Sequence, residues 1–148
     1  MMEKIIALFE ENQKTETAYD AAEAKNDQVG MEAARARHQE LCQLARDNGS
    51  DFCFMLRLYT SMKERGNVMI DLNDVHDYQV EEVAGILHKF GVKKFTFSST
   101  WSSAISAVWD FCQHGFTMAG MIQINGECQD FRTGEWKKAP AIVFTVNE

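Results

Sequence analysis

"KKFTFSSTWSS", residues 93–103, decides how the second half of the chain is built. Phe95 and Phe97 alternate with Thr96 and Ser98, the period of a strand with one apolar and one polar face. The hydroxyl run Ser98, Ser99, Thr100, Ser102 and Ser103, set around Trp101, then breaks the alternation, and helical spacing begins. A strand leading straight into a helix is the joint of an α/β unit. The helix is expected over Trp101–His114, capped by Ser99 or Thr100, with Ile105, Val108, Trp109 and Cys112 on its apolar face and Gly115 as its stop.

The same grammar extends in both directions. Upstream, "NVMIDL" (67–72) reads as a short strand of Val68, Met69, Ile70 and Leu72. The loop "NDVHD" follows, and Asp77 is placed to cap an amphipathic helix of Val80, Val83, Ile86, Leu87 and Phe90 that stops at Gly91. Downstream, "FTMAGMIQIN" (116–125) and "AIVFTV" (141–146) read as a third and a fourth strand. Strand, helix, strand, helix, strand predicts parallel neighbours with right-handed crossovers. Residues 126–140 carry no helical pattern, so the fourth strand is expected antiparallel to the third.

Residues 1–65 contain no strand-like run. Ile5, Leu8, Phe9 and Asn12 open a helical stripe that turns polar and breaks at Lys25–Asp27, where Asp27 can cap a second helix. Met31, Ala34, His38, Leu41 and Ala45 then recur at steps of three and four, the spacing of a packing seam or of pairing with a second copy. Asn48-Gly49 ends that helix. Ser50 starts a third, with Phe52, Met55, Leu56, Tyr59 and Met62, closed by Gly66. The expected fold class is α/β, with α+β as its neighbour: a helical segment over 1–65, then β-α-β-α-β-β over 67–148. These form one domain, 1–148, whose small mixed sheet carries helices mainly on one face.

Composition narrows the functional classes. The 148 residues are 45% hydrophobic and 25% charged, the balance of a chain that can build a core. A net charge of −7 argues against direct nucleic-acid binding, which depends on Lys and Arg displacing counterions. Cys42, Cys53, Cys112 and Cys128 have no Cys-x-x-Cys spacing and are expected to be small buried hydrophobes in a reducing compartment, with no metal site. "MMEKIIALFEENQK" turns acidic straight after a short apolar run, unlike a signal peptide, and no run nears the ~18 apolar residues of a membrane span. A cytoplasmic chain with no membrane partner is expected.

Two constellations stand out. At strand ends in parallel sheets, Asp71, Asp74 and His76 after the first strand would face Ser98, Ser99 and Thr100 after the second. The oxygen-rich set suits a divalent cation, and the following helix start suits an anion. Capping and turn formation account for the same residues equally well. No Gly-rich phosphate loop or nucleophile elbow accompanies them, so no catalytic residue and no cofactor is assigned. The second constellation is "NGECQDFRTGEWKKAP" (125–140), where Phe131, Arg132, Trp136 and Lys137 lie together. It reads as a plug, as a hairpin turning at Thr133-Gly134, or as a surface for a protein partner, since Trp, Phe and Arg anchor interfaces.

"KKFTFSST", "GFTMAGMIQING" and "DFRTGEWKKAPAIVF" together resemble a group of small proteins carried by bacterial phages and mobile elements. The likeness spans residues 67–146. It implies a context in which small acidic proteins inhibit or modulate host machinery. The expectation is therefore a non-enzymatic binding or regulatory protein acting through protein–protein contact, with a homodimer as a further expectation. The alternative is a binder or enzyme for a phosphate- or nucleotide-like ligand, using the loops at 71–77 and 98–103.

Overall fold

The computed structural model describes residues 1–148, which fall into two compact units, Met1–Tyr59 and Thr60–Glu148. The sequence reading expected one domain with its change of texture at residue 66. The chain changes unit some residues earlier, inside its third helix.

The first unit contains α1 (Met2–Ala24), α2 (Gln28–Asp47) and the start of α3 (Ser50–Arg65). The turn between α1 and α2 falls where it was expected. Asp27 is the N-cap of α2, and its Oδ1 accepts from Gly30 N at 3.0 Å. A Cβ on Gly30 would come within 2.9 Å of the Ala22 Cβ, so the bare backbone lets the two helices meet closely there. Ile5, Leu8 and Ala22 of α1 and Met31, Ala34, Leu41 and Ala45 of α2 are buried. The α2 stripe is thus spent inside the chain and is not available to pair with a second copy; His38 stands outside it, exposed. Ser50, expected as a cap, is instead the first residue of α3.

The second unit holds β1 (Asp71–Leu72), a 3-10 turn (Asp77–Gln79), α4 (Val80–Lys89), β2 (Lys94–Phe97), α5 (Ala104–Gln113), β3 (Phe116–Gln129) and β4 (Trp136–Val146). The fold is a small mixed four-stranded sheet in the order β1-β2-β4-β3. β1 and β2 are parallel neighbours, as the βαβ rhythm predicts. β2 and β3 are not neighbours, because β4 lies between them, antiparallel to both. The expected antiparallel partnership of the last two strands holds, but both are longer than the sequence suggested. Each runs into the stretch taken as connection, so that only residues 130–135 remain as the turn.

The two faces of β2 explain the packing. Phe95 and Phe97 point to the side that receives α5, where the Phe111 ring lies 5.2 Å from Phe95, 5.7 Å from Phe97, 6.3 Å from Phe116 and 5.3 Å from Phe144. Burying aromatic surface on this scale dominates local energetics. It also overturns the expected face of α5. Phe111 and Ala107 are buried, while Ile105 is 86% and Trp109 65% exposed. α4 lies on the same side, its His88 ring stacked 4.5 Å from Phe116.

Three further boundaries differ. "NVMIDL" supplies only the pairing of Asp71 and Leu72, because Asn67 is engaged elsewhere. Its Nδ2 donates to Asn125 O at 2.9 Å and its Oδ1 accepts from Asn125 N at 3.0 Å, leaving Val68 exposed. Asp77 does not cap α4, whose N-cap Gln79 makes no side-chain cap bond; the capping box sits one turn earlier, on the 3-10 turn, where His76 N donates to Gln79 Oε1 at 2.9 Å. α5 begins at Ala104, three residues later than expected, with no side-chain cap. The cysteines are free; Cys42, Cys53 and Cys112 are half-buried and Cys128 is exposed, short of the full burial expected.

Candidate functional site

β1 and β2 do bring the two predicted loops side by side, but the residues divide into two groups. Asp71 points inward. Its Oδ1 accepts from Thr96 Oγ1 at 2.7 Å, and its Oδ2 accepts from Ser98 Oγ at 2.6 Å and from Arg65 Nη1 at 3.4 Å. Arg65 and Asp71 are both buried, so this is an ion pair held away from water with hydroxyls filling the remaining acceptor positions. Burial pushes the Asp71 carboxyl above its ordinary 3.8, against the lowering by Ser98, Thr96 and Arg65. Asp71 thus turns its carboxylate into the protein, with both oxygens engaged, and does not stand open in the crevice as the divalent-ion reading of this loop pair required.

The second group stays at the surface. His76 Nδ1 lies 3.3 Å from Ser103 Oγ, and its ring stacks on Trp101 at 4.3 Å and on Tyr78 at 5.2 Å. Ser99 Oγ accepts from Trp101 N at 3.3 Å, so this serine shapes the turn instead of capping a helix. Ser98, Ser99 and Thr100 line one end of a groove of ≈ 260 Å³, whose floor is apolar: Phe97, Val108, Met121 and Ile142. Asp74 is exposed. The serine cluster is therefore a tied turn at the mouth of an apolar groove.

The second constellation, residues 125–140, resolves as a hairpin tip. Asp130 organises it. Its Oδ1 accepts from Arg132 N at 2.7 Å and Thr133 N at 3.3 Å, its carbonyl accepts from Gly134 N at 2.8 Å, and its own N–H donates to Glu135 O at 2.8 Å. Gln129 Nε2 adds a bond to Gly134 O at 3.0 Å. On this fixed turn Phe131 is 92% exposed, with the Arg132 guanidinium 5.5 Å from its ring centre. Lys137 is exposed; Trp136 is half-buried at the hairpin neck opposite Gln129. The plug reading does not hold: Phe131 covers nothing.

Sequence reasoning missed Arg65, Thr96 and Tyr78; it placed Trp101 and Ser103 in the 98–103 loop without foreseeing their contacts with His76. Arg65 gave no signal, because an Arg in the last turn of a helix is ordinary. Thr96 gave a faint one: a polar residue on the second face of a buried strand needs a partner.

Residues 54–146 match the family model described as a domain of unknown function, DUF7698. The match takes in more than half of the chain, all of the sheet and the hairpin tip, and the chain belongs to this family. No curated protein and no solved structure matches it.

Proposed function

We propose that the chain is a non-enzymatic binding and regulatory protein that acts by protein–protein contact through the β3–β4 hairpin tip. The carrying observation is Phe131, 92% exposed on a turn fixed by Asp130. A rigid, exposed aromatic beside a guanidinium is the composition of an interface anchor. Holding it in advance lowers the ordering cost of binding. The partner would offer an apolar pocket for Phe131 and acidic groups for Arg132 and Lys137. The resemblance to proteins of phages and mobile elements favours a partner within host machinery, which the chain would inhibit or modulate. Four free thiols favour a reducing compartment, the cytoplasm. The net charge of −7 disfavours direct nucleic-acid contact. No helix is long and apolar enough to cross a membrane.

The test is a pull-down from host extract comparing wild type with Phe131→Ala. A protein captured by wild type and lost with Phe131→Ala supports the tip as the contact; equal capture by both removes it.

The groove at Ser98, Ser99 and Thr100 favours a second reading, a small phosphate- or nucleotide-like ligand over an apolar floor, as ligand sites generally combine apolar walls with few polar groups. Native mass spectrometry of the wild type and of Ser99→Ala/Thr100→Ala decides it. A retained adduct lost in the double variant supports the groove, and no adduct on the wild type counts against it.

A further inference from the structure

β3 is an edge strand, and it is a long one. The other edge, β1, is two residues long. Edge strands offer unpaired backbone groups, and proteins protect them with Lys, Pro or short length. β3 has no charged residue from Phe116 to Gly126 and no Pro. Its register against β4 breaks at a bulge at Ala119, between Met118 and Gly120, and again between Asn125 and Gln129, where the Asn125 N–H and carbonyl are bonded to Asn67; the open stretch of the edge lies before Asn125. Met121 is 67% and Met118 52% exposed. Beside the strand, α5 presents Ile105 and Trp109 outward, and Ile105, Val108 and Met121 line one continuous groove.

The charge pattern favours a second copy as the partner of this edge. Between Phe95 and Gly126 the only Asp, Glu, Lys or Arg is Asp110, in a chain with 37 such residues (15 basic and 22 acidic). Two copies of net charge −7 repel one another over most of their surface. They can meet without opposing charges along this strand and helix. The surface is also self-complementary. A two-fold axis normal to the sheet makes β3 the antiparallel neighbour of β3 in a second copy and keeps the α5 face of both sheets on the same side. Each copy then supplies the extended strand the other edge lacks, and its Met118 and Met121 face Ile105 and Trp109 across the seam.

We infer that the chain forms a two-fold homodimer by β3–β3 pairing, with Ile105, Trp109, Met118 and Met121 as its apolar seam. The dimer extends the sheet to eight strands and leaves both hairpin tips free, so it is independent of the contact proposed for Phe131.

Sedimentation velocity over a dilution series, with hydrogen–deuterium exchange of residues 116–126 at each concentration, tests the inference. Wild type is expected at twice 16.9 kDa, with protection of 116–126 falling as the dimer dissociates. Met121→Asp and Ile105→Asp should each raise the dissociation constant by about tenfold or more, with unchanged circular dichroism, while Phe131→Ala leaves the dimer intact. A monomeric wild type at every concentration overturns the inference. So does a dimer that survives both Asp variants, or an edge protected only when a different protein is added.

Discussion

Ser98 Oγ donates to Asp71 Oδ2 at 2.6 Å where the parallel strands β1 and β2 end, so the carboxylate that could have faced a ligand crevice turns inward and engages the hydroxyl of the half-buried Ser98. With Thr96 on the other carboxylate oxygen and Arg65 completing the pair, this knot ties the end of α3 to the first two strands. Its predicted consequences are for stability.

Asp71 has a distinctive pH signature. Burial raises its carboxyl above 3.8, so the folded state holds the proton more readily than the unfolded chain. Such a group stabilises the fold fully below its unfolded pKa, and that contribution is lost as pH rises through the folded value. On acidification from neutrality, the stability difference between wild type and Asp71→Asn should therefore shift in favour of wild type. Denaturant titrations of both proteins from about pH 7 to 4 measure it. A difference that stays flat, or moves towards the variant, would show that the carboxyl is not held above its ordinary range.

Removing one member of the knot should cost unequal amounts. Arg65→Met leaves a buried carboxylate without its cation and should destabilise by about 3–5 kcal/mol. Ser98→Ala removes one hydrogen bond to a charged group, about 1.5–3 kcal/mol. The ranking is read from denaturation midpoints at neutral pH, and the reverse order would mean that the hydroxyls carry the knot.

Gly115 closes α5 with φ +92, and a Cβ there would lie 2.7 Å from Nε2 of His88, which donates to His114 O at 2.7 Å. Gly115→Ala meets both a strained backbone and a blocked space, and about 1–3 kcal/mol should be lost. Gly85, on α4 with open space around it, is the control: Gly85→Ala should hold or raise the melting temperature. Equal effects at the two sites would mean that neither the positive φ nor the His88 ring restricts this position.

What the sequence made legible follows from periodicity and punctuation. Asp27, Gly66, Gly91 and Gly115 fall at helix ends because capping and left-handed backbone are local requirements. The Phe95/Phe97 alternation fixed the buried face of β2 for the same reason. The strand order and the buried face of α5 were not legible. Both depend on which aromatic wins a common interior, and Phe111 among four other phenylalanines outweighs Trp109 and Ile105, which have the same local spacing. The inward turn of Asp71 was hidden too, since its partner Arg65 comes from another element. The hairpin tip was half legible: Thr133-Gly134 marked the turn, but Phe131 could equally have folded inward.

That turn yields the last prediction. Asp130 is not among the proposed anchors; its side chain accepts from the backbone of Arg132 and Thr133 and so holds the turn. Asp130→Ala should leave the melting temperature nearly unchanged, since the tip is exposed and buries no apolar side chain. It should nevertheless weaken partner capture, because Phe131 would then have to be ordered on binding, a cost of about 0.5–1.5 kcal/mol per immobilised side chain. Asp130→Asn keeps the accepting Oδ1 and should restore capture. Binding measured for wild type and the two variants against the captured partner separates the effects. Loss in both would point to the Asp130 charge itself, and loss in neither would mean that the tip holds its shape without the side chain.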